Sequence, residues 1–168
     1  MLECYTSLQS LNVYNCENLT SFPELSGMVW LNSLRELWIG GFSNADTLEV
    51  IGHIKSIQIL TLNGRADWVS LPYQLQNLTS LKALLIFDFG IEELPDWLGN
   101  LSSLEELGIS RCEKLRHLPS KEAMQRLTKL TSLYISSCPL LKEQCGPDNS
   151  EWPKISHIPQ SMDKHKEN

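Results

Sequence analysis

Cysteine and histidine are the residue types in this chain that could hold a metal ion or act as nucleophiles. The five cysteines are separated by 12, 96, 26 and 7 residues, and no Cys-x-x-Cys pair occurs. Such spacings fit neither a zinc site nor a disulfide framework, so we read the thiols as reduced. The four histidines are scattered and belong to no nucleophile or metal-binding motif. We therefore expect a protein that is not an enzyme, with no metal and no cofactor.

The charge and hydropathy of the chain restrict the class of partner. The formal net charge is -6 and no basic stripe is visible, which argues against nucleic acid as a partner. No apolar stretch approaches the roughly 20 residues that a membrane span requires. The opening MLECYT lacks the basic and apolar regions of a signal peptide. These features predict a cytoplasmic or nuclear protein with a protein partner and no membrane span.

A repeated apolar motif is the strongest signal in the sequence. The pattern Leu-x-x-Leu-x-Leu, with Ile or Val allowed, begins at Leu8, Leu34, Ile57, Leu81, Leu104 and Leu130. The steps between these starts are 26, 23, 24, 23 and 26 residues, which is the period of leucine-rich repeats. The alternation within each motif predicts a strand, and blocks such as 71–80 and 94–103 predict a helical or 3-10 turn. The fold class predicted is α/β, a leucine-rich-repeat solenoid of about six repeats. Its parallel sheet is expected on the concave side and its short helical or 3-10 segments on the convex side.

Three of the cysteines occupy one repeated position. Cys16, Cys112 and Cys138 each fall three residues after the last apolar strand residue of their units. Leucine-rich repeats place Asn or Cys there, turned inward toward the neighbouring backbone, and a small thiol suits that position. We therefore interpret them as a structural ladder and not as a metal or redox site. The third unit is irregular, because Arg65 stands at this position.

Side chains that flank the inward leucines of each strand are expected to point to solvent on the concave face. This alternation defines a candidate protein-binding surface, which consists of Tyr14, Glu36, Trp38, Ile59, Leu85, Phe87, Glu106 and Tyr134. Aromatic and aliphatic groups beside polar neighbours are typical of such surfaces. The alternatives are that single exposed aromatics are ordinary, or that an adjacent domain covers them.

Three segments near the end carry a resemblance to a known family. They are LEELGISRCEKLRHLP (104–119), LTSLYISSCPLLKEQC (130–145) and EWPKISHIP (151–159). Together they resemble the leucine-rich-repeat C-terminal region of plant coiled-coil nucleotide-binding disease-resistance proteins. The resemblance implies that Trp152, Ile155 and Ile158 cap the last rung. The resulting division is a repeat array over 1–145, a capping segment over 146–159 and a polar, disordered tail over 160–168.

The resemblance also implies a function in plant defence. Repeats of that family recognise pathogen effectors, directly or through a guarded host protein, and hold the receptor's own nucleotide-binding module inactive. These 168 residues contain no G-x-x-x-x-G-K-[ST] loop, so we expect nucleotide binding to reside elsewhere. The chain opens within a convex segment, and we expect an N-terminally truncated array with Leu11 and Val13 partly uncovered. A stand-alone scaffold, a ubiquitin-ligase adaptor and an extracellular receptor fragment remain alternatives.

Overall fold

One short strand from each apolar motif contributes to a single parallel sheet. The computed structural model describes residues 8–14, 32–43 and 45–161. The strands are β1 (Ser10–Tyr14), β2 (Glu36–Gly40), β3 (Ile59–Asn63), β4 (Ala83–Phe87), β5 (Glu106–Ser110), β6 (Ser132–Ser136) and β7 (Gln160–Ser161). They lie side by side in chain order, and each pairs in parallel with the next. This arrangement confirms the predicted solenoid.

The repeat period fixes the register of the sheet. The central residues of β1–β6 lie opposite one another, in the order Asn12, Trp38, Thr61, Leu85, Gly108 and Tyr134. The leucine before each central residue is buried from Leu37 to Leu133, whereas Leu11 of β1 is half-buried. A single side of the sheet therefore carries the apolar core, as the period-two pattern requires.

Backbone hydrogen bonds just before each strand hold neighbouring repeats together. The carbonyl of Gln9 accepts bonds from the N–H groups of Arg35 and Glu36, at 2.8 and 2.9 Å. The same pair of hydrogen bonds from the next repeat is accepted by the carbonyls of Arg35, Gln58, Lys82 and Glu105. Because each repeat satisfies polar groups of its neighbour, the array is stable only as a stack.

Short helices lie on the core side of the sheet and return the chain to the next strand. They are 3-10 helices at Ala45–His53, Tyr73–Asn77 and Asp96–Asn100, and the α-helix α1 (Lys121–Arg126). Pro72 and Pro95 immediately precede the second and third of these, where a missing N–H costs nothing. The helical or 3-10 returns predicted for the two Leu-Pro blocks are confirmed.

The irregular third unit keeps its core by using a different residue. Three residues after the last inward residue of the strand, four units hold a buried side chain: Phe42, Phe89, Cys112 and Cys138. The third unit has Arg65 there, which is exposed and pairs with Asp67 at 3.0 Å. Trp68, three residues later, is buried and meets the Phe89 ring edge-on, with centroids 5.8 Å apart. The irregular segment over 63–72 therefore carries its own core aromatic.

The described part of the chain ends in two short helices and a short strand. Helix α2 (Pro139–Gln144) follows β6, and α3 (Trp152–Ile155) precedes β7. Ile155 and Ile158 are buried and Trp152 is partly buried against the core. The sheet continues through Ser161, two residues past the boundary predicted for the polar tail, and residues 162–168 lie outside the described residues.

Candidate protein-binding face

The solvent side of β1–β6 presents three side-chain positions from each strand, and we call this surface the open face. It corresponds to the concave side of the predicted solenoid. Tyr14 and Trp38 are 47% and 46% exposed, and their rings stack with centroids 5.5 Å apart. Ile59 on the next strand is 38% exposed. The first three strands thus carry an apolar patch that contacts solvent.

The apolar residues of the later strands are less exposed than their positions predict. Leu85, Phe87 and Tyr134 lie on the open face but are half-buried. Leu85 leans over Gly108 of the next strand and occupies the space that a side chain at Gly108 would need. A Cβ at that position would lie only 2.5 Å from Cδ2 of Leu85, so the glycine leaves room for the leucine.

Carboxylates are the charged groups of the open face. Glu36 is exposed and Glu106 is half-buried. The eighteen outward positions, three on each of six strands, include no Lys, Arg or His. Among the residues that the structure describes, neither carboxylate has a salt-bridge partner. The face therefore carries two uncompensated negative charges.

An ion pair marks the edge where the strands end. Arg111 donates to Asp88 through Nε at 2.8 Å and Nη2 at 2.6 Å, and it lies over the Phe87 ring at 5.9 Å. The hydrogen bonds to Asp88 hold the pKa of Arg111 above its usual value. Asp88, Arg111 and Ser137 adopt left-handed backbone conformations, with φ of 60°, 54° and 52°. These residues are thus fixed in the same tight turn at the end of successive strands.

Two open grooves run along the turns beside this edge. One, of about 570 Å³, is lined by Asp88, Gly90 and Arg111 among others. The second, of about 460 Å³, is lined by Glu92, Glu93 and Arg116 among others. They share the lining residues Gly90 and Lys114, so they lie next to each other. Both signs of charge line them, which gives no preference for an anionic or a cationic ligand.

The ladder cysteines are placed inside the array. The Cys138 sulfur lies 3.3 Å from the carbonyl oxygen of Ser136 and 3.8 Å from that of Ile109, so its one S–H can donate to either. Cys112 donates its thiol to the carbonyl of Ser110 at 3.5 Å. The hydrogen bond with Cys138, together with burial, raises the pKa of the Cys112 thiol. Burial likewise raises the pKa of Cys145 to about 11. Cys16, the third ladder cysteine predicted, lies outside the described residues.

Glu151 is a buried charged residue that the sequence pattern did not indicate. Its side chain is almost fully buried and accepts hydrogen bonds from Leu118 N at 2.9 Å and Lys154 Nζ at 2.8 Å. His117 Nδ1 lies 3.2 Å away, so the tautomer protonated at Nδ1 donates to the same carboxylate. Burial alone would raise the pKa of Glu151, but these three donors together hold the pKa below its usual value. The signal in the sequence was an isolated Glu-x-x-Lys pair, which is common on surfaces.

Within the described residues, no cluster of three or more His, Cys, Asp or Glu side chains could hold a metal ion. Across the same residues, no helix has the length and apolar character needed to cross a membrane.

Stacked parallel strands with helical returns and a leucine core define this protein as a repeat solenoid with one uncovered sheet face. The family model described as "Leucine-rich repeat region" matches residues 1–151. The chain belongs to this leucine-rich-repeat family.

The relatives are proteins of plant defence. The chain is 31% identical over 119 residues to "Disease resistance protein RPS4B" of Arabidopsis thaliana, covering 71% of this chain and 10% of that protein. It is 34% identical over 146 residues to "TMV resistance protein N" of Nicotiana glutinosa, covering 82% of this chain and 12% of that protein. The predicted resemblance to the leucine-rich-repeat region of plant disease-resistance proteins is confirmed. The chain spans about a tenth of the length of these relatives.

A solved structure with some likeness is an internalin from Listeria monocytogenes. The likeness has a TM-score of 0.41 at 16% identity, and it covers 99% of this chain and 64% of the internalin chain.

Proposed function

We propose that this chain is the protein-recognition module of an intracellular plant immune receptor and that it binds its partner through the open face. The observation that carries this proposal is the stacked Tyr14–Trp38 pair, which leaves two aromatic rings almost half exposed on the solvent side of the sheet. Tyr and Trp are the residues most enriched at the energetic centres of protein interfaces. The similarity of the chain to disease-resistance proteins supports the same role.

The partners proposed are a pathogen effector, a guarded host protein, or the nucleotide-binding module of the parent receptor. All three are proteins, and each requires a rigid surface that recognises another folded surface. The backbone ladder provides that rigidity, because each strand is fixed to the next by its own hydrogen bonds. The open face does not contribute to the buried leucine core. Substitutions on this face can therefore adapt it to a partner without disturbing the core.

The test is a pair of double variants of the whole chain in a binding assay. The probes are nucleotide-binding modules of resistance proteins and a panel of secreted pathogen proteins. The first variant, Trp38→Ala with Phe87→Ala, removes ring surface from the open face and should reduce binding at least roughly tenfold, as expected for interface aromatics.

The matched control removes exposed apolar side chains from a different surface. Val69 and Tyr73 are 72% and 64% exposed and lie in the return segment of the third repeat. Val69→Ala with Tyr73→Ala should leave binding unchanged. Should the control variant lose binding while the open-face variant keeps it, the return segments and not the open face would be the recognition surface.

A further inference from the structure

The two acidic residues of the open face lie in one column, separated by apolar residues. The register aligns Glu36 of β2 with Ile59, Ala83 and then Glu106 of β5. Three strand spacings separate the two carboxylates, which is roughly 14 Å at the usual distance between paired strands. A carboxylate therefore stands at each end of an apolar strip.

The neighbouring column extends this strip across the face. Trp38, Thr61 and Leu85 lie beside it on β2, β3 and β4, and Trp38 is the most exposed of them. Thr61, between the two larger side chains, is buried by its neighbours. An apolar side chain of a partner can pack against Trp38 and Ile59 without displacing a charged group.

No cation of the open face neutralises these carboxylates. The basic residues that immediately precede β2 and β4 have other partners. Arg35 donates to the carbonyls of Asn32, Leu34 and Ser56, and Lys82 lies 3.8 Å from Glu105. Arg111, at the edge of the face, is held by Asp88. A partner that buries the strip must supply the positive charges itself, because an unpaired carboxylate is costly to desolvate.

We propose that the open face is built for a partner segment with an apolar side chain between two cationic side chains about 14 Å apart. This inference rests on the function proposed above and names the chemistry of its partner. An extended segment rises about 3.4 Å per residue, so four residues span roughly 14 Å and place both cations on one side. The matching pattern is Lys or Arg, any residue, an apolar residue, any residue, Lys or Arg.

The experiment uses a random twelve-residue peptide library, displayed on phage and selected on the whole chain. Each enriched peptide is synthesised, and its affinity is measured against four proteins. They are the parent chain, the aromatic variant W38A/F87A, the carboxylate variant E36Q/E106Q and a charge-matched control, E93Q/E122Q. Glu93 and Glu122 are exposed residues outside the open face, so the control has the same net charge as the carboxylate variant.

Among the peptides that no longer bind W38A/F87A, we expect enrichment of sequences with Lys or Arg at one position and again four residues later. E36Q/E106Q should weaken those peptides by roughly two- to fivefold for each carboxylate, as for other accessible ion pairs, and E93Q/E122Q should not. Raising the salt concentration to about 0.5 M should remove most of this difference. Thermal unfolding of E36Q/E106Q checks that the fold is retained, which is expected because neither carboxylate has a structural partner.

Three other results distinguish a failure of this inference from a failure of the function on which it rests. Peptides that need Trp38 and Phe87 but carry no paired cations, and that bind E36Q/E106Q like the parent, overturn the inference and leave the open face as the recognition surface. Peptides that bind W38A/F87A as well as they bind the parent overturn both. A selection that enriches no peptide overturns the inference as well, since the strip then has no affinity for short cationic segments.

Discussion

Replacing Glu151 tests whether the buried carboxylate fastens the C-terminal helices to the repeat array. Glu151→Ala removes the acceptor of Leu118 N at 2.9 Å and the ion-pair partner of Lys154 at 2.8 Å. A buried N–H left without an acceptor costs about 1–3 kcal/mol, and breaking a buried ion pair from one side costs about 3–5 kcal/mol. These two penalties overlap, so we expect the free energy of unfolding to fall by about 3–5 kcal/mol. Glu151→Gln keeps an acceptor for Leu118 N and should cost about 1.5–3 kcal/mol.

Urea unfolding followed by circular dichroism gives the free energy, and hydrogen exchange at Leu118 N locates the loss. A repeat array can open locally, so exchange at this amide should accelerate even where the rest of the sheet stays protected. Glu143 lies exposed in α2, within the same C-terminal region, and Glu143→Ala is the matched control. If Glu151→Ala unfolded within about 0.5 kcal/mol of the control and Leu118 N stayed protected, this account of the cap would be wrong.

The same carboxylate gives the stability a pH dependence. The donors around Glu151 hold its pKa in the folded protein below the ordinary value. Its stabilising contribution is therefore complete above the unfolded pKa of about 4.3 and is lost as the pH falls through the folded pKa. The Glu151→Gln variant should lose less stability than the parent between neutral pH and acid. Equal slopes of stability against pH for the two proteins would show that Glu151 is not the responsible group.

Three further variants or treatments test the core, the turns and the thiols. Leu107→Ala empties a fully buried position of β5 and should cost about 2–5 kcal/mol in urea unfolding, and parent-like unfolding would contradict the leucine column. Asp88 has φ of 60° and an exposed ion pair, so Asp88→Asn should cost under about 1 kcal/mol, whereas Asp88→Val should cost about 1–3 kcal/mol more. Thermal unfolding distinguishes them, and equal melting temperatures would remove the turn argument. Cys112, Cys138 and Cys145 are buried and should resist alkylation at neutral pH until urea is added, as peptide mass spectrometry can show.

The register of the sheet could be predicted from the sequence because the spacing of leucines determines it. A rung of 23 to 26 residues returns each motif to the same place, and one-residue errors would move the leucines from the core to solvent. The open-face columns follow from that register, in which Trp38 lies opposite Thr61 and Thr61 lies opposite Leu85. The repeat period and the alternation within each motif together contain this information.

Features that depend on contacts between distant parts of a rung could not be predicted in this way. The side chain that fills the third ladder position, Trp68, lies three residues beyond the expected place, and only its contact with Phe89 identifies it. The half-burial of Leu85 results from the missing side chain of Gly108, on another strand. Glu151 is buried because Leu118 N and Lys154 surround it, whereas its sequence neighbours suggest a surface residue. In each case a neighbouring repeat decides the environment.

The division of the molecule into two sides explains how such a scaffold could change partners without losing its fold. The leucine column, the backbone ladder and the Glu151 network are on or beneath the inner side of the sheet. Trp38, Glu36 and Ile59 are on the opposite side, outside the leucine core. Glu36→Gln should therefore change binding while leaving thermal unfolding within a few degrees of the parent, since surface changes usually alter stability by at most about 0.5 kcal/mol. Trp38→Ala should cost more, because Trp38 is only 46% exposed and stacks on Tyr14. Leu85 also contributes to stability, because its contact over Gly108 joins the two strands that carry the middle of the face.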